Sequence, residues 1–222
     1  MIYTTGTRPV GLAVADINAD NKPDIICTYS KQNVTAVYFN TGNGTFTTPT
    51  NYSTGAEPHT VKVADVNGDG KPDIVVGESH SSGIGVLINS GNGSFTETTY
   101  PYGYNALDFS VVDVNGDNKP DLTIPYPLNN SIGVLFNDGS GSYSSPTMYT
   151  VGGNPHTALA VDVNGDNKPD IIVANGNDNN VGILMNVGDG TFLPQVTYAT
   201  QNKPTYLDAA DINGDGKMDI VA

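Results

Sequence analysis

DVNGDGKPD, residues 65–73, decides how this chain is read, because the same nine-residue stretch occurs five times. The other copies are DINADNKPD (16–24), DVNGDNKPD (113–121 and again 162–170) and DINGDGKMD (211–219). Positions one, three, five and nine are always Asp, Asn, Asp and Asp, an all-oxygen set whose hardness and charge suit a calcium ion. The copies begin at residues 16, 65, 113, 162 and 211, so their spacings are 49, 48, 49 and 49. A fixed period of this size means a solenoid, a propeller or an array of one supersecondary unit.

The flanks repeat with the loops. In the second unit PHTVKVA precedes the acidic stretch; IVVG, the polar link ESHSSG, IGVLIN, the turn SGNG and SFTETTYPYG follow it. Alternation at Val61 and Val63, then the β-branched run Ile74, Val75 and Val76, argues for strands, and no window carries a helical period. Four short strands per unit predict an all-β fold, a β-propeller of four-stranded antiparallel blades with about four and a half repeats of 48–49 residues. In the second unit the strands are expected over Pro58–Ala64, Ile74–Gly77, Gly85–Asn89 and Ser94–Tyr100, from the axis outward. The chain is read as one domain or segment, 1–222, with units at about 7–55, 56–103, 104–152 and 153–201, a partial unit at 202–222, and residues 1–6 as an outer strand. That gives nineteen strands, the fifth blade lacking its third, so the ring closes either in a longer array or between neighbouring copies.

These units resemble FG-GAP repeats, also called VCBS repeats, of the kind found in integrin α-subunit propellers. The resemblance runs through almost the whole chain: the acidic stretch, the closing turns GNGTF, GNGSF, GSGSY and GDGTF, and the Gly-x-x-Pro approach of Gly55 to Pro58. It implies that each acidic loop joins the two innermost strands of a blade and binds Ca²⁺, about one ion per loop and up to five.

The residue chemistry supports the same ligand set independently. Side-chain ligands are expected at Asp16, Asn18, Asp20 and Asp24; Asp65, Asn67, Asp69 and Asp73; Asp113, Asn115, Asp117 and Asp121; Asp162, Asn164, Asp166 and Asp170; and Asp211, Asn213, Asp215 and Asp219. Lys22, Lys71, Lys119, Lys168 and Lys217 would contribute backbone carbonyls, with their side chains directed away. An EF-hand begins with a similar pattern but needs a Glu at its twelfth position, where this chain has Cys27, Val76, Ile124, Val173 or Ala222. Metal-free hydrogen-bonded turns are the competing reading, against which stands the repulsion of three converging carboxylates. Ala19 in place of Gly and Met218 in place of Pro set the first and fifth loops apart.

Composition excludes several partners. The net charge of −14 traces to the loops, which hold fifteen of the 23 acidic residues. Of nine Lys and Arg, five sit inside the loops, so no basic stripe remains for nucleic acid. The single Cys27 lies in an apolar run, and no stretch of about 18 apolar residues offers a membrane span. The opening MIYTTGTRP lacks the basic and apolar regions of a signal peptide, which fits a mature or excised segment of a secreted, extracellular protein.

No nucleophile elbow, phosphate loop or zinc pattern is present, and a non-enzymatic role is expected. Ligand contacts are sought in the approaches to the first strands (Arg8, Glu57, His59, Asn105, Asn154, His156, Lys203, Tyr206) and in the links between second and third strands (Glu78, His80, Tyr126, Asn129, Asn130, Asn177, Asp178, Asn179). His59 and His156 stand at equivalent places, but the intervening unit has Leu107 there, which favours a polar approach residue over a metal or acid–base pair. Sequons at Asn33, Asn43, Asn51, Asn92 and Asn129 are candidate glycosylation sites. The expected role is an adhesion or binding scaffold for an unidentified protein or glycan. The alternatives are a fibre or coat subunit self-associating through open blade edges, and a lectin stacking sugars on Tyr102, Tyr104, Tyr126 or Tyr206.

Overall fold

A computed structural model describes residues 2–79, 83–101 and 108–222. The chain packs as two compact units, Met1–Leu107 with Gly139–Gly141, and Asp108–Asp138 with Ser142–Ala222. The first unit holds two four-stranded antiparallel sheets. One runs β1 (Pro9–Ala15), β2 (Asp24–Tyr29), β3 (Val34–Tyr38), β4 (Thr50–Ser53); the other runs β5 (Pro58–Ala64), β6 (Asp73–Glu78), β7 (Ile84–Asn89), β8 (Phe95–Tyr100). The second unit repeats the plan with β9 (Ser110–Val112), β10 (Asp121–Tyr126), β11 (Ser131–Leu135) and β12 (Thr147–Thr150), then β13 (Pro155–Val161), β14 (Asp170–Asn175), β15 (Asn180–Leu184) and β16 (Val196–Ala199). It ends in a two-stranded sheet, β17 (Asp208–Ala210) with β18 (Asp219–Val221). These are the expected propeller blades, and a single 3₁₀ turn at Pro127–Asn129 is the only helix among the described residues.

Burial follows strand position. The second strands DIICTY, DIVVGE, DLTIPY and DIIVAN are buried along nearly their whole length, and they read as continuous apolar runs. The fourth strands lie outermost and are mostly exposed, as in TNYS and TMYT. Between the first two sheets Ile17, Ile26, Val37, Val61, Ile74, Val76 and Leu87 form one core. In the second unit Val114, Ile132, Val134, Ile171, Val173 and Phe192 belong to its counterpart. Full burial of such side chains stabilises by about 1.5–3 kcal/mol each.

First strands open with a register shift between Pro9 and Leu12, Pro58 and Val61, and Pro155 and Ala158. Proline has no N–H to give the ladder, so the strand starts there and bulges before regular pairing sets in. One expectation fails: residues 2–6 form no strand, although Tyr3 packs edge-to-face on Phe46 (5.8 Å, 89°) and its hydroxyl accepts the Phe46 N–H at 2.8 Å. Tyr3 therefore meets the first blade as Tyr52 of β4 meets Phe95 of the second (4.9 Å, 75°), but without a neighbouring strand to pair with.

Candidate metal loops

Each acidic stretch forms the tight connection between the first and second strands of its sheet. In the second loop Asp65 Oδ1 accepts the N–H groups of Gly68 (2.8 Å) and Asp69 (3.2 Å), and its Oδ2 accepts that of Gly70 (2.7 Å). Asn67 Oδ1 takes the Asp69 N–H (3.0 Å), and Asp69 Oδ1 takes the Lys71 N–H (3.0 Å). The fold demands left-handed backbone at positions four and six. Gly68, Gly116, Gly165 and Gly214 supply the first, with Ala19 at φ 60° as the strained exception; Asn21, Gly70, Asn118, Asn167 and Gly216 supply the second.

The ninth residue behaves differently from the first eight. Asp24, Asp73, Asp121 and Asp170 are fully buried, and both carboxylate oxygens are engaged by backbone. Asp73 Oδ2 accepts the Val66 N–H (2.9 Å) and Oδ1 the Asn89 N–H (2.7 Å); Asp170 does the same with Val163 (3.2 Å) and Asn186 (2.8 Å). Burial pushes all four carboxyls above their ordinary range, outweighing these hydrogen bonds, and the loop's own first and fifth carboxylates push the same way; Asp121 reaches about 6. Asp219, less covered, accepts the Ile212 N–H at 3.1 Å.

The lysines do not point away. Lys22, Lys71, Lys119 and Lys168 fold back to place Nζ 3.2, 3.1, 3.6 and 3.8 Å from the fifth-position carboxylates Asp20, Asp69, Asp117 and Asp166. The reason is charge: with three carboxylates and one ammonium a loop stands near −2, and the lysine is the nearest cation its own chain can supply. Their stems cross the closing turns, where Gly42, Gly91 and Gly188 leave room that a Cβ would take from Lys22, Lys71 and Lys168.

Among the described residues, no three His, Cys, Asp or Glu side chains are gathered as a ready-made metal centre. The donor chemistry nevertheless fits calcium. A carboxylate offers about four acceptor positions; Asp65 uses three of them on backbone N–H groups, and Asp73 two. Asp65, Asn67, Asp69 and Asp73 with the Lys71 carbonyl, and their counterparts in the other loops, are the groups that would hold the ion.

A feature the loop pattern alone did not announce is the asparagine at the end of β7 and two residues past β3, β11 and β15, always 24 residues after the first loop aspartate: Asn40, Asn89, Asn137 and Asn186. Asn89 Nδ2 donates to Pro72 O in its own loop (2.9 Å) and to Ile17 O in the preceding loop (2.8 Å). Asn186 repeats this with Pro169 O and Val114 O, both at 2.8 Å. The constant spacing was the available signal; the partner 72 residues earlier was not.

Of the residues considered for ligand contact, His80, Tyr102, Tyr104, Asn105 and Leu107 lie outside the described residues. Arg8, Glu57, Asn154 and Lys203 hold left-handed backbone at equivalent approach positions. The N–H groups of the last three are capped by Asn33, Asn130 and Asn179 Oδ1 at 3.0, 3.0 and 2.9 Å. His156 Nε2 lies 2.9 Å from Asn154 Nδ2, and Asp178 Oδ2 accepts the Gly153 N–H at 2.7 Å. His59 and His156 belong to different units. Tyr126 packs over Gly133, whereas Tyr206 is 64% exposed. The sequon residues Asn33, Asn43, Asn51, Asn92 and Asn129 are all exposed.

A family model for the FG-GAP-like repeat matches residues 16–76, 65–124 and 162–222, each match running from the start of one acidic loop through the whole of the next. The chain belongs to the FG-GAP-like repeat family. No curated protein matches the sequence. Among solved structures, this FG-GAP chain is similar to an Agrocybe aegerita lectin that recognises non-reducing terminal N-acetylglucosamine (24% identity, TM-score 0.63, covering 83% of this chain and 50% of that one). It is also similar to the Vibrio cholerae biofilm matrix protein Bap1 (18%, 0.55, 90% and 30%) and to a virginiamycin B lyase from Staphylococcus aureus (19%, 0.55, 86% and 55%). At these identities the likeness shows the fold alone, and the FG-GAP chain spans between 30% and 55% of the length of these relatives. No described helix is long and apolar enough to cross a membrane.

Proposed function

We propose that this FG-GAP chain is a non-enzymatic, extracellular binding scaffold stabilised by calcium, with up to five ions, one in each acidic loop. The observation that carries the reading is the excess of carboxylate at five equivalent loops. Each has three aspartates against one lysine, and in four of them the innermost aspartate is buried and held above its ordinary pKa range by desolvation and like charge. A divalent cation relieves that repulsion, and because the loop joins the two inner strands, binding is coupled to blade stability. Calcium here clasps the scaffold, since the donors belong to one short segment; the protein or glycan partner belongs to the approaches and links around Arg8, Glu57, Asn154 and Lys203, whose side chains differ from blade to blade. The test is titration of chelator-treated protein with calcium and with magnesium, followed by calorimetry. Several calcium-selective sites support the reading, and absence of calcium binding refutes it.

Two further readings each have a specific observation behind them. The fold shared with the N-acetylglucosamine-recognising lectin favours a carbohydrate ligand, and Tyr206 is an exposed ring available for stacking. A glycan array with and without calcium tests it. The exposed outer strands β4, β12 and β16, each at the edge of its sheet, favour assembly through sheet edges, in a fibre or coat; electron microscopy showing filaments supports it, and uniformly single particles refute it. The sequons become glycosylated only in a eukaryotic secretory route, and mass spectrometry of their peptides reads this out.

A further inference from the structure

The dipeptide Asn-Gly occurs seven times in this chain. It is the pair in which a backbone amide most readily attacks the side chain before it, because glycine puts no Cβ in the way. The glycine nitrogen bonds to the asparagine Cγ as the Cγ–Nδ2 bond breaks; the proton of the attacking N–H leaves with the departing NH₂ as ammonia, and a cyclic succinimide remains. Water then opens the ring at either carbonyl, giving aspartate or isoaspartate with no change of oxidation state. Two groups set the rate: the glycine N–H, which must shed its proton, and the asparagine Oδ1, which takes on negative charge as the bond forms.

The electrophiles are alike throughout. In the second acidic loop Asn67 Oδ1 accepts the Asp69 N–H at 3.0 Å; in the closing turns Asn43 and Asn92 Oδ1 accept the Thr45 and Ser94 N–H groups at 3.1 Å each. The nucleophiles differ. Four of the glycines sit in acidic loops with their N–H held by the first aspartate: Gly68 on Asp65 Oδ1 at 2.8 Å, and Gly116, Gly165 and Gly214 on the corresponding aspartates at 2.7 Å each. A carboxylate at that distance opposes loss of the proton, because the amide anion left behind would face a like charge. Gly176 is tied as well, to Asn154 O at 3.2 Å, and its partner Asn175 is fully buried. Gly44 and Gly93 complete the set, and among the described residues no acceptor takes either N–H. The charge beside these two turns has the opposite sign: a Cβ on Gly42 or Gly91 would lie 3.5 Å from Lys22 Nζ or 3.4 Å from Lys71 Nζ. Exposure draws no such line, since Asn164 and Asn213 of the loops are exposed along with Asn43 and Asn92.

We propose that Asn43 and Asn92 are sites of spontaneous deamidation in the folded chain, and that the acidic-loop asparagines, which share the dipeptide, are protected by the aspartate holding the next N–H. The fold already admits the aspartate product. The equivalent turn of the fourth sheet carries Asp189, whose Oδ1 accepts the Thr191 N–H at 3.0 Å as Asn43 accepts that of Thr45. Each event adds a negative charge beside the lysine of the acidic loop in the same sheet, Lys22 or Lys71. Both asparagines also head sequons, so glycosylation and deamidation compete for the same two side chains.

The test uses the full chain made in a bacterial host, where the sequons stay bare, held in chelator at mildly alkaline pH, which favours loss of the amide proton. Peptide mapping by mass spectrometry follows the replacement of NH₂ by OH at each asparagine. In the folded chain Asn43 and Asn92 should convert about tenfold or more faster than Asn67, Asn115, Asn164 and Asn213, the factor set by the charge-assisted hydrogen bond that each loop glycine must first break. In urea that unfolds the chain the rates should converge, because only the shared dipeptide is then left. Asp65→Ala, which frees the Gly68 N–H, should bring Asn67 toward the turn rate, with Asn115 and Asn164 of the same sample as references. Asn43→Asp and Asn92→Asp should melt with the unmodified chain, and a lowered midpoint contradicts the fit of the product. Equal native rates at turns and loops, faster conversion in the loops, no conversion at either turn, or a turn-to-loop difference that persists in urea each overturns the proposal. The urea comparison decides whether or not Asp65→Ala folds.

Discussion

Replacing Asn186 with Ala removes a clamp whose energy can be worked bond by bond. Asn186 is 5% exposed; its Nδ2 holds Val114 O and Pro169 O at 2.8 Å, and its Oδ1 takes the Gly188 N–H at 2.8 Å. Val114 is buried, so its orphaned carbonyl costs about 2 kcal/mol, the half-buried Pro169 carbonyl about 1, and the exposed Gly188 N–H, which water can reach, less than about 1. The total is about 3 kcal/mol or slightly more, and for a chain of this size each kcal/mol moves the midpoint by about 2–4 °C, giving a fall of about 6–12 °C. Asn40 provides the internal control. It makes the same bonds inside its own sheet, to Pro23 O (2.9 Å) and from Gly42 N (2.8 Å), in exposed surroundings, with no bond to a preceding loop. Asn40→Ala should therefore cost only about 1 kcal/mol. Thermal melts followed by circular dichroism, with hydrogen exchange at Val181 and Ile183, measure both. Equal losses in the two variants would refute the inter-sheet clamp, leaving asparagine as a turn residue only.

Three further outcomes follow from the same coordinates. Glu78 is fully buried, its Oε2 has no hydrogen-bond partner among the described residues, and burial first, with the Glu97 charge second, lifts its pKa above the ordinary 4.5. A carboxyl raised in the fold adds stability below its unfolded pKa and loses it as pH rises through the folded one. Glu78→Gln should thus raise the midpoint at pH 7–8 by an amount equivalent to about 1 kcal/mol and flatten the pH dependence above about 4.5, whereas an unchanged melt at both pH 4 and pH 8 counts against a charged, buried Glu78. Ala19→Gly should stabilise by about 0.5–1 kcal/mol, since relief of left-handed strain exceeds the entropy glycine adds to the unfolded chain; urea midpoints decide, and destabilisation contradicts the strain. Lys71→Met should cost the calcium-free protein less than about 1 kcal/mol, because its pair with Asp69 is surface-exposed, yet strengthen calcium binding by removing a competing cation; weaker binding in a calcium titration would contradict that role.

Much of this was legible because the acidic loop is a local device. Its turn chemistry, its left-handed positions and the strands it joins all lie within one unit, so Pro58–Ala64 was read as a strand and is β5 with the same ends. The second strand was read as Ile74–Gly77 but runs Asp73–Glu78, because the ninth aspartate itself pairs with Ala64 while its carboxylate turns back to cap the loop. What stayed hidden depends on neighbours. Residues 2–6 have the sequence of a fourth strand, but a strand exists only where another lies beside it. The lysine direction was misjudged because three nearby carboxylates outweigh the preference of an ammonium for water. The polar pairs Glu78–Glu97 and Asn175–Gln195, each lying over a third-strand glycine (Gly85, Gly182), share their place with Tyr126–Pro146 over Gly133; period alone says nothing of which pair a blade will hold.

The central claim is that the five loops clasp the inner strands through calcium. The direct measurement is the melting midpoint of the whole chain after chelation, then with calcium restored stepwise, with magnesium in a parallel series. Each loop loaded at about a hundred times its dissociation constant adds about 2.7 kcal/mol, so the midpoint should fall markedly on chelation and climb with the logarithm of free calcium, magnesium having little effect. A melt that is the same in excess chelator and in excess calcium would contradict the account and leave the loops as hydrogen-bonded turns held by their own lysines and backbone.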